Sequence, residues 1–137
     1  MDPLSVTASI INVLQLVKGI IKYANDVGNA PKEQAQLVEE ITSTAGTLYM
    51  LKDALEESPH NLEDPAHLHP LSGENGALQA FKTDLEGIFA IISHASRSKV
   101  KKSAMLWPFK KSQVEDMVKR VERHKSRFTL VLSMQNR

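Results

Sequence analysis

Residues 4–24, LSVTASIINVLQLVKGIIKYA, hold ten Leu, Ile or Val side chains: Leu4, Val6, Ile10, Ile11, Val13, Leu14, Leu16, Val17, Ile20 and Ile21. Wound as a helix at about 1.5 Å per residue, the segment is roughly 32 Å long, close to the hydrocarbon thickness of a bilayer. Its composition holds it at the edge of insertion. On a biological insertion scale ten such aliphatics contribute about −3 to −6 kcal/mol, while a Lys near the middle costs about 2.5 to 3.5, and Lys18 sits close to it. Asn12 and Gln15 bring the sum near zero. A segment so balanced is buried either in protein or in lipid, and the rest of the chain has to supply the surface that hides it.

Within the segment Ser5, Ser9, Asn12, Gln15, Gly19 and Lys22 recur at three- and four-residue steps. They predict one narrow polar stripe on a helix buried over about two-thirds of its circumference, the most buried helix of the fold. Asp2 and Pro3 suit a first helical turn, where negative charge meets the positive dipole end and a missing N–H costs nothing. Asp2 stands where a signal peptide carries basic residues, and no Ala-x-Ala-like site follows, so the segment is expected to be retained.

At 137 residues the chain suits one domain with a real core. There is no Cys, which excludes disulfides and thiolate chemistry, and no Asn-x-Ser/Thr sequon. A cytoplasmic protein at rest is the simplest expectation. The net charge of +1 conceals an asymmetry: residues 1–96 carry 5 Lys/Arg against 13 Asp/Glu, and residues 97–137 carry 12 against 3. Either the two parts attract each other within the fold, or the basic part serves an anionic partner.

Beyond the first helix, Asp26-Val-Gly-Asn-Ala-Pro31 reads as a turn with Pro31 opening a second helix that runs to about Glu57. Its apolar stripe is Leu37, Val38, Ile41, Ala45, Leu48, Leu51 and Leu55. Gly46 interrupts it and predicts a close helix contact or a bend. Residues 58–74 contain Pro59, Pro65 and Pro70 and predict a long loop. His60, His67 and His69 lie there, without the carboxylates or cysteines that would complete a four-ligand metal set. A third helix fits Asn75 to about Ala95, with Leu78, Phe81, Leu85, Ile88, Phe89 and Ile92 on one face. Residues 96–111 form a basic linker or a short extra helix, broken at Trp107-Pro108. A fourth helix runs from about Ser112, an N-cap with Glu115 as its capping-box partner, to about Met134. Its stripe is Val114, Met117, Val118, Val121, His124, Phe128 and Val131, with His124 a packed edge residue. Four long amphipathic helices without strand-like alternation predict an all-α, antiparallel four-helix bundle.

No phosphate-binding glycine loop, nucleophile elbow or His-Glu-x-x-His motif is present, so neither an enzyme nor a cofactor is expected. The adjacent acids Glu39-Glu40 and Glu56-Glu57 diverge on a helix and read as solvated faces. Interaction chemistry is densest from 97 to 111. There Arg97, Lys99, Lys101, Lys102, Lys110 and Lys111 flank Trp107 and Phe109 with no acid among them. Cations attract anionic lipid at about 1 kcal/mol each, and neighbouring aromatics sit at the head-group level. Alternatively, the aromatics plug the bundle end while the lysines hydrate its rim. Nucleic acid is not the expected partner, since no recognisable binding module accompanies the charge.

The stretches MDPLSVTASIINVLQLV, NDVGNAPKEQAQL, GALQAFKTDLEGI and LWPFKKSQVEDMVKRVERHKSRFTLVL resemble the HeLo-like domains at the N-termini of fungal signal-transducing NTPases, ankyrin-repeat proteins and cell-death effectors. The resemblance covers nearly the whole chain. It rests on the MDPLSV start, Ala30-Pro31-Lys32 and Trp107-Pro108-Phe109-Lys110-Lys111. More distantly it extends to the helical bundles of HeLo proteins, of the mixed-lineage kinase-like necroptosis effector and of RPW8-type resistance proteins.

The resemblance implies a domain spanning 1–137 at the start of a longer protein. Its implied role is execution of fungal regulated cell death, in heterokaryon incompatibility or immune-like defence. Such a domain is activated by homo-oligomerisation through an NLR-like or amyloid-signalling partner, and it moves to anionic phospholipid of the plasma membrane. The membrane-active element carried onto this sequence is the segment from Met1 to about Ala24. The alternative expectation is a non-lytic oligomerisation or adaptor domain of a signal-transducing NTPase or repeat protein.

Overall fold

The computed structural model describes residues 3–26, 31–57, 71, 76–97 and 107–135. Within them the chain is all-helical: α1 (Pro3–Asp26), α2 (Lys32–Glu57), α3 (Ala77–Arg97) and α4 (Lys111–Gln135). The five residues between α1 and α2 force those helices into an antiparallel hairpin. Gln34, in the first turn of α2, fastens its closed end by donating from Nε2 to the Ala24 carbonyl, one of the last acceptors α1 leaves unmatched. α3 and α4 are antiparallel too, because Phe81 meets Phe128 edge-on at 5.6 Å and, further along α3, Asp84 meets His124. The two hairpins pack side by side, α1 on α3 and α2 on α4. A four-helix bundle results.

The expected stripes form its core: Leu37, Ile41, Leu48, Leu51, Phe81, Leu85, Val114 and Phe128 are each at most 1% exposed. Leu71 is buried as well, and its carbonyl accepts from the Leu78 N–H at 3.3 Å, tying the α2–α3 connection to the start of α3. Buried Thr44 and Thr47 satisfy their hydroxyls on the Glu40 and Ser43 carbonyls of their own helix, at 2.9 and 3.4 Å. That bond lets a hydroxyl enter the core without leaving a donor unpaired.

Several sequence expectations are corrected. α4 is not capped by Ser112 with Glu115. Its first bond runs from the Val114 N–H to the Lys110 carbonyl, and Gln113 Oε1 accepts from the Lys110 N–H at 2.8 Å. Lys110 is therefore the cap residue, and only the returning half of a capping box forms, since Lys has no side-chain acceptor. Gly46 marks no close helix contact: a Cβ built there meets nothing within 4 Å. Phe89, expected on the core stripe of α3, is 39% exposed. α1 is also less buried than expected. At 3.6 residues per turn its buried positions cover an arc of about half its circumference, and Ile11 is 40% exposed.

Candidate functional site

α1 passes as a candidate membrane span by length and composition over Ser5–Asp26, yet only 33% of its apolar window is buried within the bundle. Its inward face, Val6, Ile10, Val13, Leu14, Val17 and Ile20, is in the core at 5% exposure or less, while Leu16 and Ile21 pack at the margin. Leu4 lies in its first turn. Outward, Asn12, Gln15, Lys18 and Lys22 keep water on the helix alongside Ile11. Ser9 turns its hydroxyl onto the Ser5 carbonyl at 3.0 Å. Asn12, Gln15, Lys18 and Lys22 thus form the solvent face of α1 in the bundle.

The seam between α1 and α3 is set by Gly19. A Cβ there would stand 3.0 Å from Cε2 of Phe89, so the missing side chain is what lets the Phe89 ring lie across α1. At the end of α1, Tyr23 is buried, and desolvation raises its phenol above the ordinary 10.0.

The basic corner is only partly in view. Arg97 closes α3, while Lys99, Lys101 and Lys102 lie outside the described residues, as do His60, His67 and His69. Lys110 and Lys111 are exposed at the start of α4. Trp107 is half-buried against the core with its Nε1 unpartnered, and it packs edge-on to Phe109 at 5.1 Å. Phe109 belongs to the core at 8% exposure. These aromatics pack against the core immediately before α4, and the two lysines that follow them face solvent. No family model, curated protein or solved structure matches this chain.

Two features escaped the sequence reading. The first is a second cationic face on α4, where Lys119, Arg120, Arg123 and Arg127 are all exposed. Lys125, on the side facing α2, stands 3.9 Å from Glu40 instead. The four-residue steps from 119 to 123 to 127 were the available signal. The second is an open cleft of about 420 Å³ between α3 and α4, lined by Ile88, Ile91, Phe109, Met117 and Val121 with Asp84, Asp116 and Arg120 at its edges. Asp84 is held in a 2.6 Å contact with Nε2 of the buried His124, whose ring lies 5.4 Å from that of Phe81. His124 is therefore a packed, carboxylate-paired residue. Among the described residues no cluster of His, Cys, Asp or Glu suits a metal ion.

Proposed function

We propose that this chain is a membrane-permeabilising execution domain of HeLo-like type, acting in regulated cell death. In this reading α1 rests in the bundle and is transferred to anionic lipid when copies assemble. The observation that carries it is the divided character of α1, which has enough aliphatic length to span a bilayer and a solvent face polar enough to stay soluble.

Energetics explain why assembly and lipid are both required. Exposing the six inward aliphatics of α1 costs about 1.5 to 3 kcal/mol each, roughly 9 to 18 in all. That matches or exceeds the whole stability of a typical domain, about 5 to 15 kcal/mol. α1 therefore does not leave the bundle for water. Lipid re-covers the aliphatics of α1, and contact between copies re-covers the surfaces of α2 and α3 that α1 abandons. Exposed Lys110 and Lys111, with Lys119 and Arg120 on α4, favour an anionic leaflet as the receiving surface.

The core position of α1 favours a second reading, in which the domain assembles partners as an adaptor and never enters lipid. Dye release separates the two. Protein assembled through an inducible dimerising tag after Arg137 is expected to empty liposomes containing anionic phospholipid and to spare neutral ones. Intact anionic liposomes, together with unchanged toxicity in cells after removal of residues 1–24, would exclude the execution reading and leave the adaptor.

A further inference from the structure

The outer faces of α2 and α4 carry opposite charge at matching intervals. On α2, Met50 is 55% exposed and is followed by exposed Asp53 and Glu57. On α4, Leu130 is 62% exposed and is preceded by exposed Arg127 and Arg123. Both series step three and seven residues away from the apolar side chain. At about 1.5 Å per residue, the acids stand about 4.5 and 10.5 Å along the axis from Met50, and the arginines the same distances from Leu130. These steps also keep each trio on one face of its helix.

One turn before Met50 lies the exposed Gly46, where a Cβ would meet nothing within 4 Å. Glycine weakens a helix interior relative to alanine, and no contact among the described residues explains it here. It leaves a low shelf beside Met50 on which another backbone can approach.

We propose that the Met50–Asp53–Glu57 ridge of one copy docks antiparallel on the Leu130–Arg127–Arg123 ridge of a second copy, with Met50 against Leu130 and each acid opposite an arginine. Charge complementarity selects a second copy as the occupant. A lipid surface or a nucleic acid would answer the arginines and leave the acidic ridge of α2 without a partner, whereas a second copy answers both. A net charge of +1 also leaves little long-range repulsion between copies. The proposal rests on the assembly of copies in the function above and adds to it an outer contact, made while α1 is still in its bundle.

Sedimentation velocity without lipid tests it, with far-UV circular dichroism confirming the helical fold of each variant. The wild-type chain is expected to self-associate at about 0.1 M salt and more weakly at about 1 M, where the screening length falls from about 10 to 3 Å. Arg123→Glu with Arg127→Glu, and separately Asp53→Lys with Glu57→Lys, should each weaken association at least about tenfold. The neutral pair Arg123→Gln with Arg127→Gln should weaken it less. Mixing the two charge-reversed proteins should restore association, because the acidic α4 of one then meets the basic α2 of the other. A wild-type chain that stays monomeric at about 1 mM, reversals without effect, or a mixture that stays monomeric would each overturn the proposal. Dye release is read separately with lipid, so losing this interface while leakage persists leaves the membrane reading standing.

Discussion

Ile10 and Ile11 are neighbours of identical chemistry with opposite fates, one fully buried and the other 40% exposed. That contrast allows α1 to be altered for lipid while the bundle is spared. Ile11→Lys places a long side chain whose methylene stem covers much of the surface the isoleucine covered and whose ammonium reaches water. The folded domain should lose less than about 1 kcal/mol, or no more than about 5 °C in Tm for a chain of this size. In the bilayer the same change removes about 0.3 to 0.6 kcal/mol of favourable insertion and adds up to about 2.5 to 3.5 of penalty. The insertion balance moves by roughly 3 kcal/mol, about a hundredfold in the inserted population. Leu14→Lys does not separate the effects, because Leu14 is 5% exposed and a charge there unfolds the core. The assay pairs a thermal melt with dye release from anionic liposomes. Preserved melting with leakage reduced by one to two orders of magnitude is expected. Preserved melting with wild-type leakage would refute the reasoning, since a helix lying in lipid cannot ignore a third lysine in its span.

Gln34→Ala should destabilise the domain by about 1 to 2 kcal/mol in a urea melt, because the buried Ala24 carbonyl loses its donor. Asp84→Ala should cost a similar amount by leaving Nε2 of buried His124 without its partner, and Asp84→Asn should recover part of it. Gly46→Ala should stabilise the isolated chain by about 0.8 to 1 kcal/mol, there being nothing for the new methyl to strike, while reducing association if the outer face of α2 docks a second copy. Stability carries a Tyr23 contribution at alkaline pH. The folded phenol holds its proton more tightly than the unfolded one, so that contribution is complete below the ordinary 10.0 and is lost as pH rises through the higher folded value. Thermal melts across that range should show the decline, and Tyr23→Phe should remove it.

The helices and most of the core were legible because apolar side chains at three- and four-residue steps can satisfy only one arrangement, as Leu37, Ile41, Leu48 and Leu55 do on α2. What failed to show depends on partners distant in sequence. Gln34 reads as a surface residue by type, and only closure of the α1–α2 hairpin brings it to the Ala24 carbonyl. Ile11 is apolar in an apolar helix, and its exposure is decided by where α2 and α3 sit. Phe89 fits the α3 stripe, but Gly19 opens room for its ring at the seam rather than in the core. The cap at Lys110 is hidden because half the usual pattern is missing. Of the site, the reach and balance of α1 could be read directly, since both follow from composition. The cationic face of α4 was also written in its four-residue spacing, although its cations are interleaved with Glu115, Asp116 and Glu122 where the run before Trp107 holds no acid.

The central claim is that α1 changes solvent, from the bundle to the bilayer. The chain has no cysteine, so a single one placed at the exposed Gln15, midway along the span, can carry an environment-sensitive fluorophore without competing labels. In buffer the label should be quenched by aqueous iodide. After assembly on anionic liposomes it should lose that access and be quenched by lipids brominated deep in their acyl chains. A label that stays open to iodide and untouched by brominated lipid, while the protein is bound to the same liposomes, would contradict the account.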